Sequence, residues 1–244
     1  MTRENILFAV VGLLLGYVAA FHLVVHLNQS QPAESGARGA GAAAAAGEQG
    51  VPTNDVKERQ RLQTAAEAAS RAAREAAQDF DAQARAAQAH LDARNYEEAI
   101  DFLTRANQLR PDDYDTLVKL GHANNAARRF DTAERWYLAA LAKRPDDGDV
   151  RLELAATYYF RDPPQRDKAM SVLRETLERD PTHLASLHNL AFLLIESKRF
   201  EEAAQTLDRL ERADPSYPQL PGLREELRKA RDAAPGDAKK SPAD

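Results

Sequence analysis

Pro111, Pro145, Pro181 and Pro215 stand 34, 36 and 34 residues apart, and this interval constrains the fold more than any other feature of the chain. Alignment on the prolines brings other positions into register. Twelve residues before each proline is an alanine: Ala99, Ala133, Ala169 and Ala203. Eight residues before each is a large apolar residue: Leu103, Tyr137, Leu173 and Leu207. A small residue recurs earlier in each unit, at Ala87, Gly121, Ala155 and Ala191. In three units an aromatic follows a turn near the middle: Tyr96, Phe130 and Phe200. The pattern predicts two amphipathic helices per unit. Small residues on facing helices let the backbones approach, and the large residue fills the space beside them. Each proline stops a second helix, and Asp112, Asp113, Asp146, Asp147 and Thr182 are placed to cap the next one.

With these residues in place, the chain resembles the tetratricopeptide repeat (TPR) family. The likeness is carried by Leu120-Gly121, Phe130, Ala133, Tyr137, Ala140 and Pro145, and again by Leu190-Ala191, Phe200, Ala203, Leu207 and Pro215. A period near 34 residues is the family's signature. The units are read as residues 80–113, 114–147, 148–183 and 184–217. The third carries two extra residues around Arg161-Asp162-Pro163-Pro164, placed in the turn between its helices. The first departs from the pattern at Gln83 and Ala86, where large apolar residues are usual. Residues 218–233 carry Leu220, Leu223 and Leu227 on one face and charges on the other, as the terminal helix of a solenoid needs. Residues 234–244 read as a disordered tail. The expected fold is all-α: about four helix pairs with a capping helix, preceded by a long helix and one N-terminal transmembrane helix.

After a short tail (residues 1–5), residues 6–27 form an uncharged run of 22 residues. As a helix the run would rise about 33 Å, close to the hydrocarbon thickness of a bilayer. An uncleaved signal anchor is preferred over a cleaved signal peptide, because mostly apolar residues continue past Val18–Ala20. Arg3 and the amino terminus lean the span toward a cytoplasmic N-terminus, hence a periplasmic array on a bacterial inner membrane. His22 and His26 are read as interfacial residues. Residues 28–54 lack apolar periodicity and read as a flexible linker. Residues 55–79 form an Ala-rich helix, with Ala65, Ala69, Ala72, Ala73 and Ala76 as a narrow stripe. The stripe could pack on another helix. A solvated spacer is the preferred reading, because so little area would be buried.

Several function classes drop out. Zero cysteines exclude a disulfide scaffold, Cys-based zinc sites and thiol catalysis. The net charge of −5 argues against a nucleic-acid partner. No phosphate-cradling loop, His-Glu-x-x-His element or convergent catalytic set is present, so no enzyme, cofactor or metal is expected. His183 and His188, five apart, fall on different helical faces. Function is expected in binding a protein partner. The TPR resemblance implies a concave groove lined by the first helix of each unit. Carried over, its positions are Gln88, Leu91 and Asp92; Val118, His122 and Asn125; Leu152, Ala156, Tyr159 and Phe160; and His188, Phe192 and Ile195. His122 and His188 are read as equivalent positions of units two and four. The family's Lys/Asn/Arg clamp for a terminal carboxylate is not matched. An apolar groove suits an amphipathic helix or extended segment. The layout of anchor plus repeats is similar to membrane-anchored bacterial cytochrome c biogenesis TPR proteins. The rival reading is a structural subunit that forms homo-oligomers through the Ala-rich helix.

Overall fold

The computed structural model describes residues 53–234. The anchor, most of the linker and the end of the tail lie outside the described residues. Among the described residues there are ten helices and no strand, and no helix is long and apolar enough to cross a membrane. Helix α1 is Thr53–Glu75. Four pairs follow: α2 Phe80–Asp92 with α3 Tyr96–Leu109, α4 Tyr114–Ala126 with α5 Phe130–Lys143, α6 Gly148–Tyr159 with α7 Arg166–Arg179, and α8 Leu184–Glu196 with α9 Phe200–Ala213. Helix α10, Leu220–Ala233, closes the array. Each helix packs on its chain neighbours, and the first helices α4, α6 and α8 also touch in succession. The first helices therefore share one face.

Local chemistry explains the boundaries. Asp79, Asp113 and Asp147 cap α2, α4 and α6 by accepting backbone N–H bonds from the first turn. Such a cap is worth about 1 kcal/mol. In the fourth unit the cap is not the predicted Thr182. His183 takes the place, its Nδ1 accepting from the Ser186 N–H at 3.2 Å, while Thr182 bonds Asp180 instead. Asp112 and Asp146, also predicted caps, pair with Lys143 and with Arg179 (2.5 Å) of the following units' second helices. The carboxylate nearest the first turn wins the orphan N–H groups, and its neighbour points to a cation.

The turns inside units one, two and four place Arg94, Arg128 and Lys198 at φ near +60°. The next residue then bonds back to the first helix: Asn95 N–H to His90 O, Arg129 N–H to Asn124 O and Arg199 N–H to Leu194 O, each 2.8 Å. These are Schellman closures. In unit three the corresponding bond is kept, Gln165 N–H to Tyr158 O at 3.0 Å. The two extra residues bulge out before it, and the register resumes unchanged.

The Ala-rich helix is not a solvated spacer. Ala66, Ser70 and Ala73 of α1 are buried against α2, whereas Ala65 and Ala72 of the predicted stripe are exposed. Polar groups make up for the small apolar area. Ser70 Oγ lies 2.7 Å from His90 Nε2, and Gln83 Nε2 donates to Ala73 O at 2.7 Å. Gln83 and Ala86, the departures from the family pattern, face this seam. Elsewhere the core is built mainly of leucine, alanine and tyrosine, with Asn124, Thr157, Thr176 and Ser186 buried among them. Gly121 is required where it stands: a Cβ there would lie 2.5 Å from the Tyr137 ring, which is fully buried.

Candidate functional site

The shared face of the first helices follows from 3.6-residue periodicity, which aligns positions three, four and seven apart. On α2, Gln88 is exposed and bonds Asp92 at 2.8 Å, with Leu91 half-buried beside them. On α4, Val118, His122 and Asn125 are half-buried. On α6, Leu152, Ala156 and Tyr159 are half-buried, and Phe160 forms the helix C-cap. On α8, His188 and Phe192 are half-buried. Ile195 departs from the prediction: it is 8% exposed and belongs to the core. It backs the face and does not present itself to a ligand. The two histidines are not equivalent either. His122 is the ninth residue of α4 and His188 the fifth of α8.

The structure brings three of the predicted aromatics together. Tyr159 meets Phe192 of the next unit edge-on at 6.0 Å and Phe160 at 5.1 Å. The buried aromatic of this run is Tyr158, 7% exposed, leaving Tyr159 at the surface. The Tyr159 hydroxyl donates to Glu196 at 3.4 Å, and Arg166 Nε reaches the other oxygen of that carboxylate at 3.4 Å. Burial, with the Glu196 charge beside it, pushes the Tyr159 hydroxyl up to about 12. It therefore stays a neutral donor at physiological pH.

Polar groups flank this cluster on either side. His188 Nδ1 lies 3.2 Å from the Tyr217 hydroxyl, and the two rings meet edge-on. Burial holds His188 below the usual imidazole range, which keeps it neutral near pH 7. His122 stands edge-on to Tyr137 at 5.7 Å, with its Nε2 3.9 Å from Glu153. Asn125 Oδ1 accepts from Thr157 Oγ at 3.3 Å across the α4–α6 junction.

Glu153, Glu196 and Tyr217 belong to this face and were not singled out from sequence. Glu153 follows the predicted Leu152 directly, and its i, i+4 spacing from Asp149 was the available signal. Among the described residues no group of three His, Asp or Glu side chains could hold a metal ion. Two shallow depressions, of about 540 and 550 Å³, lie elsewhere: one along Lys57 to Ala68 of α1, one beside Pro164 to Lys168.

Comparison with known proteins agrees with this architecture. Residues 80–113 and 165–227 each match a family described as "Tetratricopeptide repeat". No curated protein matches the chain. Among solved structures, YrrB, described as a TPR protein with an unusual peptide-binding site, is 18% identical, with a TM-score of 0.56 over 70% of this chain and 88% of its own. A MamA fragment from Desulfovibrio magneticus RS-1 is 17% identical, with a TM-score of 0.56 over 68% of this chain and 92% of its own. A tetratricopeptide repeat protein from Parabacteroides merdae is 18% identical, with a TM-score of 0.57 over 63% of this chain and 60% of its own. At these identities the likeness is one of fold. Repeat spacing, paired helices and two separate family matches lead to one assignment: the array is built of tetratricopeptide repeats, matched over residues 80–113 and 165–227.

Proposed function

We propose that the face formed by α2, α4, α6 and α8 receives a segment of a protein partner, and that residues 6–27 tether this receptor to a bacterial inner membrane with the array in the periplasm. The observation that carries the binding reading is the Tyr159–Phe192 pair, two large rings on adjacent units left half-exposed on one face. Aromatic anchors dominate interface energies when water is excluded around them, each costing about 2 kcal/mol or more on truncation. The peptide-binding site named for YrrB is consistent with such a role for the fold. The layout of anchor and repeats supports a part in assembling other membrane or periplasmic proteins, cytochrome c maturation being the case it most resembles.

A photo-crosslinking residue placed at Leu152 of the full-length protein, in native membranes, tests the binding reading. We expect a crosslinked partner that Tyr159→Ala or Phe192→Ala weakens at least tenfold, with the helical circular dichroism intact. Equal crosslinking from Arg135 on α5, or capture that depends only on residues 55–78, would move the binding site off this face. The orientation is tested separately by a reporter active only outside the cytoplasm, fused to Asp244; a silent reporter with normal expression reverses it.

A further inference from the structure

Three first helices are capped by aspartates, Asp79, Asp113 and Asp147, and the fourth by a histidine. The His183 ring is engaged at both nitrogens. Nδ1 accepts from the Ser186 N–H of α8 at 3.2 Å, and Nε2 lies 3.5 Å from Asp149 Oδ1 of α6. An accepting Nδ1 fixes the neutral tautomer, with the ring proton on Nε2 toward Asp149. Space for the ring comes from Gly148. A Cβ there would lie 2.9 Å from His183 Nε2, whereas α2, α4 and α8 begin with Phe80, Tyr114 and Leu184. Beside the cap is an unused polar group: Ser186 is fully buried, and its hydroxyl has no hydrogen-bond partner among the described residues. The other charged groups around this junction have partners of their own. Asp180, in the same turn as His183, accepts from Thr182. Arg179, at the end of α7, pairs with Asp146 at 2.5 Å. On the α6 side, Asp147 accepts from the Val150 N–H and the Tyr114 hydroxyl, and Glu153 faces His122.

An imidazole is the side chain that changes charge between about pH 5 and 8, and only the fourth unit uses one as its cap. A second proton must sit on Nδ1, where it sets donor against donor at the Ser186 N–H. The positive end of the α8 macrodipole opposes a cation there, while Asp149 and Asp180 attract it. The Ser186 hydroxyl, in the same residue as the displaced N–H, offers the acceptor that the new N–H needs. We propose that His183 is a proton-operated cap. Neutral, it holds the first turn of α8 by its backbone. Protonated, it releases the Ser186 N–H, donates Nδ1–H to the Ser186 hydroxyl and Nε2–H to Asp149, and the start of α8 loosens. The bond that breaks is to the α8 backbone, and the one that strengthens is to α6. Helix α8 also carries His188 and Phe192, so the proton acts on the helix that brings the fourth unit to the shared face. The switch itself requires no partner on that face.

Hydrogen exchange read by mass spectrometry on the full-length protein in lipid nanodiscs, between pH 8 and 5, tests this. Exchange at the imidazole C2 position reports the charge of His183, and amide exchange over residues 184–187 reports the cap. As His183 gains its proton, amide protection at the start of α8 should fall about fivefold, the scale of one helix cap. Protection at the starts of α4 and α6, capped by Asp113 and Asp147, should hold. His183→Asn caps without titrating and should keep α8 protected throughout. Ser186→Ala removes the acceptor of the charged form, so His183 should then protonate at a lower pH. Asp149→Asn should move the titration the same way. A His183 ring that stays neutral to pH 5, protection unchanged through its titration, or a loss shared equally by α4 and α6 would each overturn the switch. So would a pH-dependent loss that persists in His183→Asn. A titration unmoved by Ser186→Ala would overturn the exchange of acceptors on which it depends.

Discussion

Where α1 meets α2, the buried residues are Ala66, Ser70, Ala73, Ala82, Gln83, Ala86, Ala87 and His90. Where α8, α9 and α10 meet, the large buried side chains include Leu187, Leu190, Leu194, Leu207, Leu210, Leu220, Leu223 and Leu227. Both ends of the array solve the same problem, covering the exposed side of a repeat, and they solve it with different forces. Leucines contribute by area, roughly 1.5–3 kcal/mol each when fully buried, and the force has no direction. Alanines bury little, so the first seam relies on directed bonds: Ser70 to His90, Gln83 to Ala73 O, and Asn95 Nδ2 to Gln63 at 2.9 Å. Such bonds add about 1 kcal/mol each when made and cost more when broken. The first end is thus specified more than stabilised, and the last end the reverse.

The largest effect should come from the leucine end. A chain ending at Pro218 loses Leu220, Leu223 and Leu227, 5–6% exposed, and bares the apolar side of unit four. We expect several kcal/mol of lost stability, seen as aggregation or a clearly lower melting temperature. An unchanged melt would show that α10 does not dock in solution.

Next in size is the junction between the two regimes, in unit two. Gly121→Ala places a Cβ 2.5 Å from the Tyr137 ring, which has nowhere to move. Overpacking of this kind costs about 1–3 kcal/mol, more than the helix propensity gained. The other units pair an alanine with leucine at these positions (Ala87/Leu103, Ala155/Leu173, Ala191/Leu207). Gly121→Ala with Tyr137→Leu should therefore recover most of the loss. A double-mutant cycle by urea melts reads the coupling, and additive costs would refute the pairing.

At the polar end, Ser70→Ala should cost about 1–2 kcal/mol and change the pH response. Ser70 Oγ donates to Ala66 O at 2.9 Å, so His90 Nε2–H donates to Ser70 and Nδ1 is left bare toward Asn95 Nδ2 at 3.4 Å. A second proton would set two donors against each other. Burial lowers the His90 pKa, opposed by Glu98 and aided by Arg74. The unfolded imidazole titrates near 6.5, so below that pH the unfolded chain binds more protons than the native one. Stability is then full above about pH 6.5 and falls as pH drops toward the native value. His188 contributes with the same sign. His90→Gln should flatten part of that slope, and an unchanged slope in urea melts between pH 7.5 and 5.5 would assign it elsewhere.

The smallest effect concerns the turns. Lys198 holds φ 58°, where a β-carbon costs about 1–2 kcal/mol, partly offset by the greater unfolded entropy of glycine. Lys198→Gly should raise stability by about 0.5 kcal/mol; a loss would mean that the lysine side chain contributes more than its backbone costs.

The repeat, its helix pairs and the closing helix were readable from spacing alone. They depend on where small, large and proline residues recur, which is a one-dimensional property. The helix face on which the candidate positions stand was readable, because period 3.6 assigns faces without coordinates. Depth was not readable. Ile195 and Phe192 lie three apart on α8, yet one backs the core and the other meets Tyr159 of the preceding unit. The Ala-rich helix shows the same limit. Its composition records how little area it can bury, but not that Gln83 and His90, both fully or nearly buried, lie across from it on α2. A hydrogen bond requires both partners at a definite distance. The Ser70–His90 pair spans 20 residues and the His122–Glu153 pair 31. Spacing along the chain thus determined the array, a sum of nearest-neighbour apolar contacts that any register-preserving sequence would satisfy. The tertiary structure alone decided which polar groups are brought together, because directed, short-range interactions exist only once the helices have docked.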